Sequence, residues 1–141
     1  MSRYMPTTNL QPILQALVRT LRANATLKAA VAGFWEGSAP AGTTYPYVTY
    51  HHAGGGDYWE FGSVTKKPVV AIQVWSSDQV EARNLDQLII NTLWDAELSI
   101  EQQSTLLCRR EGDISDANPD GTGQKVYQVG GYYRIWSDIV L

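Results

Sequence analysis

Two histidines, one cysteine and fourteen acids are the raw material for chemistry in this chain, and their spacing decides what they can do. His51-His52 is the first candidate. Neighbours on a strand point to opposite faces, so the pair cannot readily share one metal ion. No cysteine cluster and no HExxH spacing accompanies it. The expectation is one histidine against the edge of the core and one in solvent. Gly54-Gly55-Gly56 lacks the GK[ST] ending of a phosphate loop and precedes no helix, so it reads as a flexible hairpin tip. Cys108 has Arg109 and Arg110 beside it, but a small apolar strand residue is the simpler reading. Glu111, Asp113, Asp116 and Asp120 do not match calcium-loop spacing and read as a solvated acidic loop. No nucleophile–base–acid set emerges. The residues point away from an enzyme, and neither a metal nor a cofactor is implied.

These groups must be positioned by a scaffold, and Val69–Trp94 is its centre. Residues 69–75 are almost continuously apolar and β-branched, as a strand buried on much of both faces requires. Val70, Ile72 and Val74 point one way, and Ala71, Gln73 and Trp75 the other. Asp78 is placed to cap a helix, with Glu81 reaching back as in a capping box. Leu85, Leu88, Ile89, Leu93 and Ala96 then mark one helix face, while Glu81, Arg83, Asn84, Asp86, Gln87 and Asn91 fill the polar remainder.

Residues 1–8 read as a loose N-terminal arm. Asn9 is placed to cap a helix with Pro12 in its first turn and Leu10, Ile13, Leu14, Leu17, Val18 and Leu21 inward. Asn24 caps a second, short helix over 25–32, stopped by Gly33. Phe34–Gly37 suits a brief strand and Pro46–His52 a longer one. Residues 53–66 read as a long hairpin connection with strand character at its ends. Its Tyr58, Trp59 and Phe61 suit a docking element, although a loop folded back on its own domain would bury them equally well. Ser104–Arg110 suits a strand, residues 111–124 a long acidic loop, and Lys125–Ile139 a final strand with a bulge or close approach at Gly130-Gly131. The sum is a single α+β domain over 1–141: an antiparallel sheet with helices packed on one face.

The net charge of −3 argues against a general nucleic-acid or membrane-surface binder. No run is apolar enough to span a bilayer, and the N-terminus lacks the apolar centre of a signal peptide, so synthesis in a cytoplasm is the default. One cysteine allows no internal disulfide. Five tryptophans and eight tyrosines suit contact with other proteins.

The order of motifs resembles the tail completion or tail terminator proteins of long-tailed bacteriophages, the proteins that join tail to head. The likeness is carried by the capped helix NATLKAAVAG, by Phe34-Trp35-Glu36-Gly37 with Pro40, by Pro46-Tyr47-Val48-Thr49-Tyr50, and by Gln73-Val74-Trp75-Ser76 entering a helix. The family's fold is α+β. The resemblance implies a structural virion protein without enzymatic activity. Such a subunit assembles with itself into a ring, usually a hexamer, at the head-proximal end of the tail. Its expected partners are the tail tube protein and the neck or head-completion connector proteins, with DNA passing through the lumen unbound and no membrane contact. On that reading Tyr58, Trp59 and Phe61 belong to a subunit or axial interface, and Asp113, Asp116 and Asp120 to the lumen or an axial contact. The alternatives are another neck or head-completion subunit and, from a different class, a small ligand-binding domain or enzyme.

Overall fold

The computed structural model describes residues 10–55, 57–60, 63–98, 100, 104–119 and 123–140. Helix α1 spans Gln11–Ala23 and α2 Ala25–Ala30. Strands β1 (Phe34–Glu36), β2 (Tyr47–Gly54), β3 (Asp57–Glu60), β4 (Ser63–Lys66) and β5 (Val69–Ser76) follow. Helix α3 (Gln79–Leu93) leads to β6 (Ser104–Pro119) and β7 (Lys125–Val140). The seven strands form one sheet in the order β1-β2-β5-β7-β4-β3, with β6 on the other side of β7. The α+β expectation holds, with one refinement. The sheet is mixed, because β1 runs parallel to β2 while the other pairs are antiparallel.

Two long hairpins build the sheet. β4 and β5 pair with successive parts of β7, so 63–76 acts as one interrupted strand, and the gap is bridged where Ile135 N–H donates to Pro68 C=O. β2 and β3 pair with β5 and β4 in the same way. Gly55 sits at the interruption with φ +85, where a Cβ would lie 2.0 Å from Lys67 O; only glycine fits there. Residues 53–66 are therefore largely strand rather than loop.

The second hairpin corrects the other loop assignment. Residues 111–119 continue β6 and pair with β7 as far as Pro119 opposite Lys125. Their acids gave no strand signal, because the segment lies at the sheet's rim and is held by backbone pairing to β7 rather than by apolar burial. An extra residue between Arg110 and Gly112 makes a bulge. One pair beyond it, Gly131, opposite Asp113, leaves no room for a Cβ, which would lie 2.3 Å from Arg110 Nε.

The core forms where the helices meet the sheet. Ile13, Leu17, Leu21 and Leu27 meet Val48, Val70, Ile72, Val74, Ile89, Leu93, Tyr133 and Ile135 in one buried cluster. Burial of each such aliphatic side chain is worth about 1.5–3 kcal/mol before entropy. The caps fall largely as the sequence indicates. Asn24 Oδ1 accepts from Leu27 N–H at 3.1 Å, and its Nδ2 donates to Thr92 Oγ1 at 2.8 Å, tying α2 to α3. Asp78 accepts from the N–H groups of Val80 and Glu81. Glu81 does not close a direct capping box. It accepts from Ser76 Oγ, which itself accepts from Asp78 N–H. At α1 the cap position is Leu10, without a side-chain cap, and Asn9 lies outside the described residues. Helix α2 ends at Ala30 rather than Ala32.

Candidate functional site

Helix α3 buries an acid that helical periodicity assigned to its polar face. Asp86 turns toward the sheet and meets Arg110, which leaves β6 at the bulge. Arg110 Nη1 lies 2.7 Å from Asp86 Oδ1, with side-chain exposures of 11% and 10%. The guanidinium also donates to Gly130 O, to Tyr133 Oη at 3.4 Å and to Asp113 Oδ1 at 2.9 Å. Burial by itself would ease its proton off, but the bonds to Asp86 and Tyr133 outweigh this and hold it charged. Burial pushes the Tyr133 hydroxyl up to about 12, against the pull of Arg110. These groups fasten α3 to the middle of the β6–β7 hairpin. The bonds among these groups join helix to sheet, as a structural clamp requires. Cys108, buried beside them, is pushed up to about 12 by desolvation and then by Asp95, so its thiol is unreactive at neutral pH.

On the sheet face turned away from the helices, rings line up across β1, β2 and β5. Tyr45 stacks on Tyr47 at 5.4 Å between centroids, Tyr47 stacks on Trp75 at 5.8 Å, and Trp35 meets Tyr47 edge-on at 6.0 Å. Trp75 Nε1 donates to Thr49 Oγ1 at 2.8 Å. Each ring pair is worth about 0.5–1.5 kcal/mol beyond its buried area. The register Tyr47↔Trp75 creates this row. Only the strand alternation of Trp75 hinted at it.

The candidate residues are now placed. Tyr58 and Trp59 lie in β3, opposite Thr65 and Val64 of β4 in a hairpin rather than on a loop; Phe61 lies outside the described residues. Asp113 and Asp116 lie on β6, opposite Gly131 and Gln128, and Asp120 lies outside the described residues. Asp116 accepts from its neighbours Ala117 N–H and Asn118 Nδ2. Asp113 is 85% exposed despite its bond to Arg110. The two aspartates share a hairpin, while the aromatic pair belongs to β3, on the opposite side of β7 from β6. His51 and His52 are both exposed, contrary to the expectation that one would rest against the core, because β1 stops short of them. They line an open cleft of about 490 Å³ with Leu10, Gln11, Leu14, Glu36 and Gly37, beside the N-terminus of α1. Among the described residues no three metal-ligating side chains gather, and no helix is long and apolar enough to cross a membrane.

The fold is thus an α+β module whose polar groups clamp elements together and whose sheet keeps open edges, the properties of an assembling structural subunit. Residues 15–137 match the family model of the tail completion protein gp17, and the chain belongs to that family of phage tail structural proteins. Among solved structures it is similar to a chain from the virion of a native gene transfer agent particle. The two share 14% identity at a TM-score of 0.76, over 94% of this chain and 99% of that one, which shows a common fold. No curated protein sequence matches.

Proposed function

We propose that this protein is a non-enzymatic virion subunit that closes a ring, a hexamer, at the head-proximal end of the tail tube. There it ends tube growth and offers a surface to the neck. Family membership over 15–137 carries the reading. The fold supports it physically: the sheet has two dissimilar edges, β1–β2 on one side and β6 on the other, and a head-to-tail ring needs two different patches on each subunit. Tyr58 and Trp59 of β3, together with Phe61 in the sequence beyond it, make the axial contact with tube or neck. Asp113, Asp116 and Asp120 keep the β6–β7 hairpin acidic, which suits a lumen that DNA must cross without sticking. Its partners are other copies of itself, the tail tube protein and the neck proteins.

Light scattering across a concentration series, alone and with tail tubes, tests this. The expected result is a mass of six 15.7 kDa chains, or rings at one end of the tubes by electron microscopy. A protein that stays monomeric and labels no tube end refutes the reading.

A further inference from the structure

The two sheet edges are built differently. On one side, β1 covers β2 only as far as Tyr50. Ala32 N–H donates to Pro46 O, Val48 N–H to Gly33 O, and Gly37 N–H to Tyr50 O. Positions 46, 48 and 50 thus face this edge, and strand alternation turns the N–H and C=O of His52 toward it, past the end of β1. On the other side, Asp95 N–H takes the carbonyl of Cys108, and beyond it, from Arg109 to Pro119, no described strand pairs with the outer edge of β6.

Register sets the heights of these edges. His52 lies opposite Val70, Val70 opposite Tyr133, and Tyr133 opposite Arg110. His51 leads in the same way through Ala71 and Tyr132 to Gly112. The histidines of one edge therefore stand level with residues 110–112 of the other, whereas Asp113, through Gly131 and Ile72, stands level with Tyr50, two residues along from His52 and within diagonal reach of it. His52 and Asp113 share the helix-bearing face, through Val70 and Gly131. His51 lies on the opposite face, where Arg134 holds Glu111. A rotation about an axis along the strands preserves height. It also sets β2 of one copy antiparallel to β6 of the next, because β2 runs parallel to β7.

We propose that His51 and His52, at the open end of β2, dock against Glu111 and Asp113 on the open edge of β6 of a second copy. This rests on the ring reading above and names its interface. The exposed carboxylate of Asp113 reaches His52 diagonally at the mouth of the cleft that His52 lines with Gln11 and Glu36. Glu111 meets His51 on the other face. Backbone pairing supplies strength, and imidazole–carboxylate hydrogen bonds fix which edge meets which.

The test is cross-linking of the full chain carrying His51→Cys with Glu111→Cys by oxidation, and separately His52→Cys with Asp113→Cys by a thiol-reactive linker spanning about 8 Å, since that pair is diagonal; the buried Cys108 stays in place. Cross-linking at the assembled mass should give a covalent ladder reaching the full ring. Each single-cysteine variant should give no ladder. In parallel, His51→Glu with His52→Glu should weaken assembly about tenfold, and adding Glu111→Lys with Asp113→Lys should restore it. A ring that forms without cross-links and is indifferent to the glutamates overturns this interface while the ring itself stands. A protein that never exceeds the monomer mass, even with tail tubes, overturns both.

Discussion

Replacing Asp86 with alanine should be among the most damaging single changes to a polar residue of this protein. The carboxylate and the Arg110 guanidinium lie 2.7 Å apart, each about nine-tenths removed from solvent. At an effective dielectric of about 20 their attraction is about 6 kcal/mol, most of which offsets the cost of taking both charges out of water. Removing one partner leaves that desolvation uncompensated, which costs about 3–5 kcal/mol. Arg110 retains Asp113, Gly130 O and Tyr133, so the lower end of that range is expected.

The assay is urea unfolding at neutral pH on wild type, Asp86→Ala, Arg110→Ala and the double variant. Both singles should lose about 3 kcal/mol, and the double should lose much less than their sum, with a coupling of about 2 kcal/mol. An apolar pair, Asp86→Leu with Arg110→Met, should recover most of the loss, because a filled apolar site needs no compensating charge. A single-variant loss under about 1 kcal/mol, with coupling near zero, would show that Arg110 escapes to solvent and that the clamp does not hold α3 to the hairpin.

Other consequences follow from the same framework. Asn24→Ala removes the α2 cap and the bond to Thr92 together and should cost about 1–2 kcal/mol in the same assay, whereas Asn24→Asp should keep the cap and lose the Thr92 bond. Gly131→Ala should cost more than about 2 kcal/mol and shift the fluorescence of Tyr133, since the new Cβ would lie 2.3 Å from Arg110 Nε and 2.5 Å from Gly112 O. The pH dependence has a definite sign. Burial raises Cys108 from 9.0 and Tyr133 from 10.0 to about 12 each, so the folded state holds these protons more tightly than the unfolded one. Their stabilisation is complete below pH 9 and is lost as pH climbs toward 12, by up to about 4 kcal/mol for the thiol. Cys108→Ala should flatten the fall between pH 9 and 10 in unfolding midpoints measured from pH 8 to 11; an unchanged slope would show that the thiol does not cause it.

Periodicity made the scaffold readable. β5, α1 and α3 bury alternating or three-and-four-spaced apolar residues, and Asn24 and Asp78 cap helices as their types demand. The distal half of β6 was unreadable for a physical reason: a rim segment held by backbone pairing to β7 needs no apolar face, so Glu111, Asp113 and Asp116 look like loop residues while lying in a strand. Asp86 was misassigned because helical spacing reports only which face is apolar on average. Its partner is 24 residues away and reaches it through a bulge that no local pattern announces. The aromatic row across Tyr45, Tyr47 and Trp75 likewise depends on register, which a sequence does not print.

On the proposed ring reading, the acids that hid β6 also bear on how copies meet. A long open edge invites pairing with an identical edge, which would close a two-fold dimer and end assembly. Two antiparallel β6 strands would bring Asp113 and Asp116 of one copy close to the same residues of the other, and like charges across a strand pair are destabilising. The exposed end of β2 offers imidazoles instead, level with residues 110–112 of β6. The acids on β6 therefore penalise the symmetric pairing and favour contact between unlike edges, and on the proposed ring reading that choice turns an open sheet edge from an aggregation hazard into an interface.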